Sequence, residues 1–270
     1  KPMKNLLSIL VIAHLCLSGC LSAGNDTDQV KAPGDTSEST PQEDSGDEPS
    51  DLQPVDPAVD LEDEESVPAE PIDFTKIGVP CEPGPTCPGA TVPEWSLLDF
   101  QPMSPEFGNF YGLEMFSGTV TLVSLHAAWC AYCRNQALHM NTMWKELQAA
   151  GFEVQFVTVN KDNAADQEYR NWMLFEHDDE GNQIFDELGN AIFRCTYPLF
   201  QDTPEDAVWA MHGGNKDDFY IYDEDGALAL YLPAGGDIST RLSTTNGYSN
   251  LKSALLWVLT GVNPADEAGE

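Results

Sequence analysis

The sequence predicts an α/β domain, a central mixed sheet flanked by helices with an inserted hairpin, preceded by a disordered acidic linker. Three observations point there. An apolar run, Thr119 to Leu125, leads into Trp129-Cys130-Ala131-Tyr132-Cys133 and then a helical pattern from Arg134 to Leu147. Beyond it the periodicities read as strand, then hairpin, then helix. Residues 80–262 are rich in Trp, Phe and Leu, enough for one sizeable core, whereas the residues before them are not.

Taken in order, Val120 to Leu125 is a strand, Tyr132 to Ala149 a helix closed by Gly151, and Phe152 to Asn160 a second strand. A strand, crossover helix and strand of this length form a βαβ unit. Asp166 to Phe175 is helical. Gly181-Asn182-Gln183-Ile184-Phe185 is echoed eight residues later by Gly189-Asn190-Ala191-Ile192-Phe193, which predicts the inserted hairpin. Asp178, Glu180 and Asn182 alternate like calcium ligands, but Gly189 stands where the loop would need its twelfth-position Glu, so no metal is assigned. Phe219 to Tyr222 and Leu228 to Leu232 flank Asp223-Glu224-Asp225-Gly226 and read as a hairpin. Ser249 to Thr260 is a closing helix ended by Gly261 and Pro264, and 263–270 form a disordered tail.

Upstream, Lys4 precedes an apolar stretch from Leu6 to Leu17, short for a membrane span but suited to an export signal. Leu17-Ser18-Gly19-Cys20 resembles the lipobox of bacterial lipoproteins. That resemblance implies removal of residues 1–19 and lipidation of Cys20 as the anchor. With Leu21 following, it implies the outer membrane, on its periplasmic or surface face. Residues 20–79 form an acidic tether. Positions 21–79 hold 17 Asp or Glu against Lys31 and Lys76. Such a segment buries too little apolar surface to offset its chain entropy, and about 59 flexible residues span roughly 40 Å. The whole chain carries 45 acidic and 12 basic residues, a net charge of −33, which excludes nucleic acid and anionic headgroups as partners.

Two Cys separated by two residues at a helix start make a redox dithiol, because unpaired N–H groups and the helix dipole stabilise the first thiolate. A buried structural disulfide or half of a zinc site are the alternatives, and only His126 and His139 flank the motif as further zinc ligands. Of the remaining exported cysteines, Cys81 is expected to pair with Cys87, Cys130 with Cys133, and Cys195 to pack as a small hydrophobe. No cofactor and no metal are expected.

The element order, with the dithiol at the first strand-to-helix junction, resembles the thioredoxin fold over most of residues 92–262. Pro93-Glu94-Trp95-Ser96, Val120 to Cys133, Tyr197-Pro198-Leu199-Phe200-Gln201, Val208-Trp209 and Gly214 to Asp223 more closely resemble the N-terminal domain of the selenoprotein P family. That resemblance places Cys130 where the family carries selenocysteine. Two positions compete for the thioredoxin cis-proline: Pro198, and Lys216 or Asp217, which chain order favours, with Pro198 then in an earlier edge strand. In the favoured placement the two glycines Gly213 and Gly214 let the backbone approach the sulfur. Lys216 would lower the Cys130 pKa, and Asp217 and Asp218 would raise it. Ser124 stands where thioredoxins bury an acid, and Ser is no base at neutral pH. The site is therefore expected to comprise Cys130 and Cys133, with Trp129, Ala131, Tyr132, Lys216 and Asp217 around them. The expected activity is thiol–disulfide exchange with thiol- or disulfide-bearing proteins or small thiols. A thiol peroxidase and a binding module with a structural disulfide are the rivals.

Overall fold

The computed structural model describes residues 71–267, in which the sheet begins with two short strands, β1 (Leu97–Asp99) and β2 (Phe110–Tyr111). Then follow β3 (Val120–His126), α1 (Ala131–Ala149), β4 (Val154–Asn160) and α2 (Gln167–Leu174). The chain continues through β5 (Leu199–Gln201), α3 (Val208–His212), β6 (Phe219–Tyr222), β7 (Leu228–Leu232), α4 (Thr245–Thr260) and α5 (Pro264–Glu267). All seven strands join one sheet in the order β2-β1-β5-β4-β3-β6-β7. β3 pairs parallel with β4 and antiparallel with β6, so the sheet is mixed, with helices against it. β3 is buried along its whole length, as a central strand must be.

Helix α1 starts where it does because Cys130 is its N-cap, with extended backbone and a sulfur that accepts the Cys133 N–H at 3.3 Å. Its buried positions, Cys133, Ala137, Met140, Met143 and Leu147, recur at helical spacing; the last four pack into one core, and Cys133 packs with Cys130 into a second. Gly151, at φ +88°, then turns the chain into β4.

Four expectations need correction. Pro198 precedes β5, which is no edge strand; it lies between β4 and β1. The closing helix begins at Thr245, four residues early, because the Thr244 hydroxyl accepts the Gly247 N–H. The insert forms isolated bridges in place of a two-stranded hairpin, with Glu176, Ile184 and Ile192 bonded in a closed three-sided set. Asp178 and Asp186 each accept the backbone N–H of the Asn four residues on, so the repeated Gly-Asn marks two copies of one turn.

The fourth concerns the boundaries at 79 and 263. Phe74 is buried and stacks on Trp257 at 5.7 Å between ring centroids. Its N–H donates to Asn263 Oδ1, and Asn263 Nδ2 donates to Asp73 Oδ1 at 2.7 Å. Both ends of the domain are thus clasped, and residues 71–79 and Asn263 belong to the fold. The signal segment, Cys20 and the tether to residue 70 lie outside the described residues. Among those described, no helix is long and apolar enough to cross a membrane.

Candidate active site

The end of β3 is the point from which the site is built. After His126 the chain turns through Ala127 and Ala128 into the dithiol. Ala128 N–H donates to Asn160 Oδ1 at 2.8 Å, and Asn160 is the β4 residue registered opposite His126. Asn160 Nδ2 in turn donates to Ala164 O and Gln201 Oε1, so three segments fix the turn that presents Cys130. No sequence signal marks Asn160, because its role exists only once β3 and β4 are in register. Trp129 stands out from this turn, 41% exposed, with its indole N–H on Asn163 Oδ1 at 3.0 Å. Ala131 and Tyr132 are also exposed on the first turn of α1.

Opposite them lies the loop from Gly213 to Asp218. Asp217 N–H donates to Leu125 O at 2.7 Å and Leu125 N–H to Asp218 O at 3.2 Å, which extends the β3–β6 ladder beyond β6. Asp218 pins the loop by accepting from Asn215 N–H, Ala234 N–H and the Tyr231 hydroxyl. Lys216 Nζ thereby reaches Cys130 Sγ at 3.2 Å. Of the two competing placements, the structure puts Lys216 and Asp217 against the dithiol, while the Pro198 carbonyl receives the Thr158 N–H inside the sheet. Asp217 holds a left-handed backbone at φ +69°, which Asp tolerates better than most residues.

The two glycines serve a different purpose from the one expected. A Cβ on Gly213 would meet Pro85, and one on Gly214 would collide with the Tyr220 hydroxyl. They make room for neighbours behind the loop, not for the sulfur in front of it. Pro85 lies within the Cys81–Cys87 loop, whose two cysteines are joined by a disulfide with Cα atoms 5.7 Å apart.

Cys130 and Cys133 are free thiols in this structure, not the disulfide expected, and both are buried. Cys130 is 8% exposed and Cys133 is fully enclosed; beside them, Trp129 and Lys216 help to line a groove of about 490 Å³ that also takes in Trp209 and Lys161. The two sulfurs differ in electrostatics. The Cys130 pKa is pulled down from 9.0 to about 5, first by a hydrogen bond from the Cys133 thiol, then by the Cys133 backbone N–H and the Lys216 ammonium, against the opposing effect of burial. Burial pushes Cys133 far up, and its bond to Cys130 and the charge of Asp217 push the same way. One sulfur is a stabilised thiolate and the other a thiol.

Both sulfurs and an Asp217 carboxylate oxygen lie within 4.8 Å of one another. The Lys216 ammonium occupies the same space with a positive charge, which disfavours a cation there. Cys195 is fully buried, far up the chain from this site, and burial raises its pKa to about 12. His139 lies on α1 and is not part of this group of sulfurs and carboxylate.

Fold and site together define a thioredoxin-fold domain with a Cys-x-x-Cys dithiol at the strand-to-helix junction. Residues 83–234 match the family model described as selenoprotein P, N terminal region. The chain belongs to that family. It is 30% identical over 149 residues to selenoprotein P of Rattus norvegicus, which covers 55% of this chain and 32% of the relative. To selenoprotein Pb of Danio rerio it is 25% identical over 142 residues, covering 52% and 44%. The match therefore spans under half of the length of these relatives. Among solved structures, the thioredoxin domain of a thiol-disulfide oxidoreductase from Bacteroides vulgatus aligns over 63% of this chain and 98% of its own, at 15% identity and a TM-score of 0.41.

Proposed function

We propose that this domain is a thiol–disulfide oxidoreductase. The observation that carries the reading is the inequality of the two sulfurs. Cys130 is held as a thiolate by the Cys133 thiol and the Lys216 ammonium, while Cys133 is kept protonated behind it. A merely structural disulfide has no use for a pre-ionised sulfur at a helix start. The Cys130 thiolate attacks a substrate disulfide, forming a Cys130–substrate bond and releasing one substrate thiolate. Cys133 then attacks Cys130 Sγ, the Cys130–Cys133 bond forms, and the second substrate thiolate leaves. The substrate gains two electrons and the dithiol loses two; the reverse sequence oxidises a substrate dithiol. The groove beside Trp129 and Trp209 is where a thiol- or disulfide-bearing protein or a small thiol would lie.

Cys133→Ser tests this directly. Mixed with a peptide disulfide, that variant is expected to accumulate a stable adduct on Cys130, visible by mass, whereas the unaltered dithiol turns over and shows little. An equal absence of adduct and of product in both would sink the exchange reading.

The anchor is part of the same proposal: export, removal of residues 1–19 and lipid on Cys20, with the domain held off the outer membrane by its acidic tether. The Leu17-Ser18-Gly19-Cys20 pattern supports it. Cys20→Ser is expected to lose the lipid mass and move from the detergent phase to the aqueous phase. Retention of both would refute the anchor and leave the redox reading intact.

A further inference from the structure

Cys133 presents a chemical problem that the exchange reaction must solve. Its thiol is fully enclosed and held protonated, yet it must attack Cys130 Sγ. Ser124, buried in β3, is engaged with the Thr158 hydroxyl at 2.7 Å and is not basic. Asp217 is 3% exposed, and one of its carboxylate oxygens lies within 4.8 Å of both sulfurs. Its Oδ1 accepts no hydrogen bond, although a buried carboxylate oxygen ordinarily has a donor. His126 Nε2 lies 3.8 Å from that same Oδ1, and neither ring nitrogen of this fully buried imidazole has another partner. The loop holding Asp217 is fixed by the extended ladder to β3 and by the three bonds to Asp218, so its left-handed backbone is imposed from outside.

We infer that Asp217 is the base that receives the Cys133 proton as the Cys130–Cys133 disulfide closes. The inference rests on the exchange reaction proposed above. In the resolving step the Cys133 S–H bond breaks and its proton passes to Asp217. The sulfur electron pair forms the bond to Cys130 Sγ, and the Cys130–substrate bond breaks with its electrons leaving on the substrate thiolate. Asp217 then returns the proton to that thiolate or to water. The charged and titratable groups around the carboxylate are Cys130 at the N-cap of α1, Tyr132 and Cys133 in its first turn, His126 on β3 and Lys216 on its own loop, with Arg134 beside the sulfurs and Arg241 beyond Tyr132. Burial holds His126 neutral, with its pKa lowered to about 4, and Asp217 is the one carboxylate in this set.

Asp217→Asn keeps the shape and suits the left-handed backbone. The probe is 5,5′-dithiobis(2-nitrobenzoate) with the reduced protein in stopped flow. The first release of thionitrobenzoate reports Cys130 attack and the second reports closure by Cys133. In the variant the first phase is expected to stay within about threefold, while the second falls by about 100-fold near neutral pH, the usual scale of general base catalysis. The slowed phase should then rise roughly tenfold per pH unit as hydroxide takes over, while the unaltered protein changes little. A second phase unchanged in the variant, or lowered by one constant factor at every pH, overturns the assignment. Absence of the first phase in the unaltered protein removes the exchange reaction on which it rests.

Discussion

Brief alkylation of the reduced protein near pH 7 is expected to modify Cys130 at least about a hundredfold faster than Cys133. A thiol with a pKa of about 5 is almost wholly ionised there, whereas one at its ordinary 9.0 is about 1% ionised, and Cys133 is displaced further upward. Only the thiolate reacts. The pH dependence follows with a definite sign. The folded pKa of Cys130 is depressed, so the thiolate's contribution to the stability of the reduced fold is fully present above the ordinary thiol value and is lost as pH falls toward 5. Because this stabilises the reduced form, the dithiol is a stronger oxidant than it would be with an unperturbed Cys130. Lys216→Ala removes one cation from the sulfur and is expected to raise the pKa by about one unit. It should not restore it fully, because the Cys133 thiol and backbone N–H contribute independently. Thiolate absorbance against pH reads the shift directly; an unchanged titration in Lys216→Ala would contradict the 3.2 Å contact. Preferential labelling of Cys133 would reverse the assignment of roles.

Phe74→Ala is expected to destabilise the domain by about 3–5 kcal/mol, the cost of replacing a fully buried Phe with a cavity. The ring is 1% exposed and stacked on Trp257, and its backbone is tied through Asn263, so neither end of the domain can collapse freely into the space. For a domain of this size that corresponds to a fall in melting temperature on the order of 10 °C. A chain beginning at Pro80 should lose at least as much, since it removes the ring and the Asp73–Asn263 bond together. Calorimetry of either variant with an unshifted transition would show that residues 71–79 contribute nothing to the fold.

The sequence by itself determined the α/β class, the dithiol at a strand-to-helix junction and the final hairpin. The reason is that each is carried by local pattern. Val120 to Leu125 is an unbroken apolar run, residues 131–149 keep a helical spacing of buried positions, and Asp223 to Gly226 separates two strands. Chain order also favoured Lys216 over Pro198 opposite Cys130, since β6 must join the sheet beside β3. Phe74 was illegible because it sits in an acidic, Pro-rich segment, and its burial depends on Trp257, 183 residues away in the chain. Asn160 was equally silent, because its role arises from the parallel register of β3 and β4, and His126 read only as a flanking zinc candidate. Asp217 read as one charge in a polar turn beside Asp218. Only the tertiary structure turned one carboxylate toward the sulfurs and the other toward Tyr231, because the ladder to Leu125 fixes the backbone between them and leaves the side chains no choice of side.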